Sequence, residues 1–153
     1  MAFLDSILEL WDGQALTTTE ESRTNGNILD LEASGRVDNM LGEVWLNINV
    51  SVAAGGMASG GYFQLVTSDS ATFVTGTGGE QAIAVVGSAA DPLFAAQLTA
   101  GVKFSVAVPL RILHRYVEIE FVAVSEAATG LTVDAWLGKE PISQSLVTQL
   151  EPN

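Results

Sequence analysis

The sequence predicts an all-β protein, built as an antiparallel β-sandwich, and three observations lead to this prediction. Four segments alternate apolar and polar residues, which is the pattern of strands with one buried face. Turn signals rich in glycine separate a series of eight short strand candidates. Between these strands the sequence contains no convincing helix. Eight strands of this kind suit a jelly-roll-like sandwich.

The N-terminal part, residues 1–13, is predicted to be a short helix or arm. Its apolar residues recur at helical spacing, and Gly13 stands where a helix would end. Either this segment packs on its own domain, or it reaches a neighbouring subunit. We take its apolar side chains as the candidate contact with a partner: Phe3, Leu4, Ile7, Leu8 and Trp11.

Residues 14–137 are predicted to form the sandwich domain. The strand candidates, in chain order, are 14–18, 27–31, 43–53, 61–67, 81–86, 102–108, 115–124 and 130–137. Two long loops, 54–60 and 87–101, are rich in glycine and alanine, so we expect them to be mobile or shaped by contact with a partner.

The C-terminal part, residues 138–153, is predicted to be a tail. It contains two prolines and four large apolar residues. The apolar residues are Ile142, Leu146, Val147 and Leu150. Either the tail closes the sandwich as an edge strand, or it extends onto a neighbouring chain.

Three large aromatic residues fall on the polar side of the alternating strands. They are Trp45, Tyr116 and Trp136. Large aromatics on the wet face of a sheet are typical of surfaces that meet another subunit, so we take these three as the candidate self-association interface. The alternative is that loops of the same chain cover Trp45 and Trp136.

Composition excludes several classes of function. The chain has 153 residues, of which 48% are hydrophobic and 16% charged, so one domain with a substantial core is expected. It has no cysteine, which excludes disulfides, thiol catalysis and thiolate metal sites. The formal net charge of −12 opposes binding to nucleic acid and to anionic membranes. We expect neither a signal peptide nor a membrane span, because the chain begins without a basic flank and has no long apolar run.

Residues with catalytic chemistry do not form a recognisable constellation. The single histidine, His114, cannot anchor a zinc site alone, and no nucleophile turn accompanies it. Glu118 and Glu120 share one strand face, where we expect them to be solvated and to promote solubility. The Gly76–Gly79 stretch lacks the lysine of a phosphate loop, and Asp69 belongs to no calcium-loop pattern. The sequence therefore predicts no enzyme, no metal and no cofactor.

Six motifs, taken in order and at their spacing, give the chain a family resemblance. They are Asp12-Gly13-Gln14-Ala15-Leu16-Thr17, Asn27-Ile28-Leu29-Asp30-Leu31, Trp45-Leu46-Asn47-Ile48-Asn49-Val50, Leu65-Val66-Thr67-Ser68-Asp69-Ser70-Ala71-Thr72-Phe73, Arg115-Tyr116-Val117-Glu118-Ile119 and Gly130-Leu131-Thr132-Val133-Asp134-Ala135. Through these motifs the chain resembles the capsid cement, or decoration, proteins of tailed bacteriophages, mainly the short-tailed ones. The chain departs from that pattern in its tail after residue 138 and in its glycine-rich 54–60 loop.

The resemblance implies a structural virion protein rather than an enzyme. Proteins of this family fold as β-sandwiches, form homotrimers and bind the major capsid protein on the outer surface of the virion. There they cement neighbouring capsid subunits against the pressure of the packaged DNA. The protein would be made in the host cytoplasm and would bind neither nucleic acid nor membrane.

Two other functions remain open at the level of the sequence. A carbohydrate-binding β-sandwich module would stack sugar rings on Trp45 beside Asn47 and Asn49. A host-attachment component, such as a head fibre, is the second alternative and would be elongated rather than compact.

Overall fold

The computed structural model describes residues 9–18, 20–21, 26–31, 43–73, 80–109 and 114–142, with only the backbone described for 20–21. Nine strands and no helix occur in these ranges, which confirms the all-β prediction for the described residues. The strands are β1 (Glu9–Leu16), β2 (Glu20–Glu21), β3 (Leu29–Asp30), β4 (Val44–Val52), β5 (Gly61–Ser68), β6 (Gln81–Val86), β7 (Lys103–Val108), β8 (Tyr116–Ala123) and β9 (Leu131–Gly138).

The strands form two antiparallel sheets, which confirms the predicted β-sandwich. Sheet A has the order β1, β9, β4, β7, and sheet B has the order β2, β8, β5, β6, with β3 also paired to β8. The pairs are nested along the chain, since β5 pairs with β6, β4 with β7, β2 and β3 with β8, and β1 with β9. In chain order, the two strands of each pair therefore flank the pair nested between them.

The core lies between the two sheets and is built from the inward residues of the alternating strands. Leu46, Ile48 and Val50 of β4 are all fully buried, as the period-two pattern requires. Phe63 of sheet B joins the layers, because its ring centroid lies 5.1 Å from that of Phe121 and 6.5 Å from that of Phe104 in sheet A. Each such aromatic contributes roughly 2–3 kcal/mol through burial.

The N-terminal prediction is wrong for the residues that the structure describes, because residues 9–12 belong to strand β1 and not to a helix. The pairing of β1 with β9 shifts register twice, between Glu9 and Trp11 and between Trp11 and Gln14. These irregularities break the period of two, so the neighbours Leu10 and Trp11 are both buried. Gly13, with φ of 59°, lies within the second shift.

The two long loops are held by their own chain. In the 54–60 loop the Gly55 amide donates to the Thr129 carbonyl at 2.6 Å, and the Thr129 amide donates to the Gly56 carbonyl at 3.1 Å. In the 87–101 loop Leu93 exchanges two backbone hydrogen bonds with Gly61, and Leu98 is fully buried. Contacts within the subunit therefore shape both loops, without any need for a partner.

Candidate interaction surface

The three outward aromatics predicted as one interface lie on two opposite surfaces. Trp45 on β4 and Trp136 on β9 project from the outer face of sheet A, because their neighbours along each strand fill the core. Tyr116 on β8 projects from the outer face of sheet B, since the next residue, Val117, is fully buried in the core. The structure therefore brings the two tryptophans together and separates Tyr116 from them.

The strand register places the two tryptophans side by side. Trp136 pairs directly with Asn47, and Trp45 pairs with Gly138, so the tryptophans are diagonal neighbours across β4 and β9. Both are partly exposed. We define the tryptophan face as the outer surface of sheet A formed by Trp45, Asn47, Asn49, Asp134 and Trp136.

Hydrogen bonds within the chain already engage the polar groups beside the tryptophans. Asn49 Nδ2 donates to Asp134 Oδ2 at 2.9 Å, and the Gly13 amide donates to Asp134 Oδ1 at 2.8 Å. The Asp134 carboxylate is thus held by two donors from two neighbouring strands. Because this carboxylate already has hydrogen-bond partners within the chain, a protein that covers the face would leave few polar groups without a partner.

Asn47 holds the start of the C-terminal tail against sheet A. Its side chain is 1% exposed although it lies on the outer face. Its Oδ1 accepts from Ser105 Oγ at 2.7 Å and from the Ile142 amide at 3.2 Å, and its Nδ2 donates to the Glu140 carbonyl at 3.0 Å. The Ile142 amide also donates to Ser105 Oγ at 3.0 Å. We call this arrangement the Asn47 clasp.

The clasp has consequences for two of the sequence predictions. The tail turns back over its own sheet as far as Ile142, and residues 143–153 lie outside the described residues. Both ends of the Asn47 amide are engaged, so Asn47 is not free to bind a sugar, whereas Asn49 makes one hydrogen bond to Asp134 and is partly exposed. The carbohydrate-binding alternative stays a prediction in which Asn49, and not Asn47, would be the polar neighbour of Trp45.

The indole nitrogen of Trp136 lies close to its own chain. A Cβ atom built on Gly138 would lie 3.0 Å from Asn47 Nδ2 and 3.6 Å from both Trp136 Nε1 and the Glu140 carbonyl oxygen. The end of β9 therefore lies close to the indole nitrogen, and a side chain at Gly138 would press against the amide of Asn47. Both tryptophans are partly exposed, and cover by loops of the same chain stays a prediction.

The prediction that Glu118 and Glu120 are solvated is wrong. They are 0% and 6% exposed, and Glu120 accepts a hydrogen bond from Gln64 Nε2. They lie on the outer face of β8, an inner strand of sheet B that has β5 on one side and β2 and β3 on the other. Val66, which pairs with Glu118 on β5, is buried too, whereas Gln64, which pairs with Glu120, is partly exposed.

The N-terminal contact candidates have different outcomes. Phe3, Leu4, Ile7 and Leu8 lie outside the described residues. Trp11 is 1% exposed and belongs to the core of its own chain, so its side chain does not contribute to a surface for a partner. The apolar N-terminal segment that remains as a candidate therefore ends at Leu8, directly before β1.

His114 takes part in a local polar cluster. Its Nδ1 lies 2.8 Å from Asp69 Oδ1, and its amide donates to Thr67 Oγ1 at 2.7 Å. No group of three His, Asp or Glu residues that could hold a metal ion occurs in the described part of the chain. The Gly76–Gly79 stretch lies outside it. Within the residues that the structure describes, there is no helix long and apolar enough to cross a membrane.

Comparison with known proteins gives no relative: no protein-family model matches this chain, and no curated protein matches it. The tryptophan face and the resemblance of the sequence motifs therefore carry the functional proposal.

Proposed function

We propose that this protein is a capsid cement protein of a tailed bacteriophage, which binds the outer surface of the shell as a homotrimer. The observation that carries the proposal is the tryptophan face, with Trp45 and Trp136 adjacent and partly exposed on one face of the sandwich. Tryptophan is among the residues most often found at the energetic centre of protein interfaces. We infer that the tryptophan face is the contact between subunits of the trimer.

Charge supports this assignment of surfaces. Subunits with a net charge of −12 repel one another, so a stable contact between copies needs a surface with little free charge. Within the tryptophan face the carboxylate of Asp134 is bound by Asn49 and Gly13, and two residues of opposite charge border the face, Glu9 opposite Trp136 and Lys103 opposite Asn49. The same net charge opposes contact with packaged DNA and suits a position outside the shell.

The topology is in keeping with the proposed family. The nested pairing of the strands, from β5 with β6 outward to β1 with β9, is the arrangement expected of a rolled antiparallel hairpin and supports a jelly-roll-like sandwich. A sandwich of this kind can join neighbouring proteins through non-covalent contacts alone.

The mechanism follows from multivalent binding. Each subunit contributes a modest contact to the shell, and the trimer makes three such contacts at once. Because the second and third contacts form intramolecularly, the whole binds about 10²–10⁴ times more tightly than one subunit. We assign the shell contact to the N-terminal apolar segment with Phe3, Leu4, Ile7 and Leu8, which precedes β1.

The first experiment measures mass in solution by light scattering coupled to size-exclusion chromatography. We expect a species of three times 16.0 kDa at low micromolar concentration. The double variant Trp45→Ala/Trp136→Ala should be monomeric, whereas Tyr116→Ala, on the opposite face, should remain trimeric. A monomeric wild-type protein, or equal dissociation of the Tyr116→Ala variant, would overturn the assignment of the trimer contact.

The second experiment measures binding to the shell. Capsids lacking the protein, assembled from the major capsid protein of the same phage, are sedimented with the wild type and with a variant lacking residues 2–8. That deletion spares β1, which begins at Glu9. We expect the wild type to sediment with capsids and the deleted protein to remain in solution as an intact trimer. Absence of wild-type binding would reject the cement function itself.

A further inference from the structure

An apolar cleft of about 520 Å³ opens along one side of the sandwich, between β6 and β7. Its walls include Val85 and Val86 of β6, Phe104 and Val106 of β7, and Leu93 of the 87–101 loop. Val85 is 49% exposed, which is unusual for a large apolar residue on a strand. Asp91 is the charged residue among those that line the cleft.

The cleft lies where both sheets end. β6 is the last strand of sheet B and β7 is the last strand of sheet A, and neither has a further strand partner among the described residues. Open edges that flank an apolar cleft attract other strands and promote aggregation unless something covers them. A cover for this side of the sandwich is therefore expected.

The Asn47 clasp brings the C-terminal tail to this side. The tail leaves β9 at Gly138, passes Asn47 of β4 at Glu140 and reaches Ser105 of β7 at Ile142. Ser105 lies between Phe104 and Val106, whose side chains line the cleft from the other side of the same strand. The described chain thus ends against the edge strand that forms one wall of the cleft.

The length and composition of the remaining tail match the cleft. Eleven residues follow Ile142, and an extended residue spans about 3.3 Å, whereas two packed sheets are about 10 Å apart. Leu146 is therefore within reach of the space between the sheets. Residues 141–150 contain no charged side chain, in a chain of which 16% is charged, and they include Leu146, Val147 and Leu150.

From these observations we infer that the tail of each subunit docks in the cleft of that same subunit, with Leu146, Val147 and Leu150 against Val85, Phe104 and Val106. A tail tethered at Ile142 by only a few residues has an effective concentration in the millimolar range, which favours its own cleft over that of a separate copy free in solution at micromolar concentration. The docked tail closes the side of the sandwich left open by β6 and β7. This inference is independent of the capsid proposal.

The test uses engineered disulfides, which report the contact without ambiguity because the chain has no cysteine. Three double variants of the full chain combine Val85→Cys with Leu146→Cys, Val147→Cys or Leu150→Cys. We expect at least one to form a disulfide within the subunit, visible as a monomer on a non-reducing gel and located by peptide mass. The exposed position of Val85 makes the substitution tolerable for folding.

The matched control replaces Val85→Cys by Ala15→Cys, because Ala15 is exposed on β1 at the opposite edge of sheet A. A docked tail should form the disulfide with the cleft at least about ten times faster than with this control. Equal rates at the two edges, absence of any disulfide, or a covalent dimer in place of an internal link would each overturn the inference.

A second measurement does not depend on the choice of cysteine positions. The variant Leu146→Asp/Val147→Asp/Leu150→Asp should leave the cleft open and raise the fluorescence of a hydrophobic dye several-fold. The control Ser145→Asp/Thr148→Asp/Gln149→Asp adds the same charge to the tail and should leave the fluorescence near that of the wild type. The same fluorescence in both variants would count against docking.

Discussion

Arg115, which directly precedes β8, forms a bidentate ion pair with Asp30 of β3. Arg115 Nε donates to Asp30 Oδ1 at 3.0 Å, and Arg115 Nη2 donates to Asp30 Oδ2 at 2.9 Å. The guanidinium also lies 5.0 Å from the centre of the Tyr116 ring. Because β3 has only two residues, a fixed side-chain contact adds substantially to the few backbone bonds that hold it.

The first prediction concerns this ion pair. In a double-mutant cycle of Asp30→Ala and Arg115→Ala, we expect a coupling free energy of about 1 kcal/mol, since the geometry is bidentate but Arg115 is partly solvated. Urea unfolding of the four proteins measures it. The coupling should fall in 1 M NaCl, where screening is strong. A coupling near zero at low salt would show that the pair does not hold β3.

The second prediction concerns the Asn47 clasp. Asn47→Ala removes the partner of Ser105 and of the Glu140 carbonyl in a buried place, so it should lower the free energy of unfolding by about 1–3 kcal/mol. Asn49→Ala is the matched control, because Asn49 lies on the same face but is less buried, and we expect a loss below about 1 kcal/mol. Equal losses in urea unfolding would contradict the role given to the clasp.

The third prediction concerns close packing at the start of β5. A Cβ atom on Gly61 would lie 2.6 Å from Phe121 Cζ and 2.9 Å from the Val122 carbonyl oxygen. Gly61→Ala should therefore lower the free energy of unfolding by roughly 1–3 kcal/mol. Gly56→Ala, whose nearest atom is 3.4 Å away, should change it by less than about 0.5 kcal/mol. Thermal unfolding of both variants measures these changes. An unchanged stability of Gly61→Ala would contradict the close contact between Gly61 and Phe121.

The fourth prediction concerns the buried carboxylate of Glu118. A carboxylate without exposure needs hydrogen-bonded or charged partners, and removing it leaves those partners without compensation. We expect Glu118→Ala to lower the free energy of unfolding by about 3 kcal/mol.

Glu126→Ala is the control for that variant, because Glu126 is exposed in the turn after β8, and a change below about 0.5 kcal/mol is expected. If chemical unfolding gave the two glutamate variants the same stability, the outer face of sheet B would have to be solvated around Glu118.

Strands that obey simple alternation were predictable from the sequence. The candidate 102–108 contains all of β7, and the candidate 43–53 contains all of β4. In both cases turn residues mark the ends. The candidate 14–18 overlaps the end of β1, but the first part of that strand was missed because two register shifts disturb its alternation. Strand β2 was missed because two residues carry no periodic signal.

The site was only partly predictable. The sequence identified Trp45 and Trp136 as outward aromatics, and both are partly exposed on the outer face of sheet A. It also grouped Tyr116 with them, although Tyr116 lies on the other sheet. One local feature of the sequence indicated a role for Asn47, namely a polar amide in the middle of a strand. Its hydrogen-bond partners come from β7 and the tail, which are distant in the sequence.

What the sequence by itself determined is which side chains point inward, because the period of two along a strand follows from local backbone geometry. What only the tertiary structure decided is which outward side chains meet and which of them are buried. Trp45 and Trp136 are neighbours because β4 and β9 pair in one register. Glu118 is buried on the outer face of β8, where Val66 of the neighbouring strand lies beside it. Both facts depend on contacts between residues far apart in the chain, for which a local pattern holds no information.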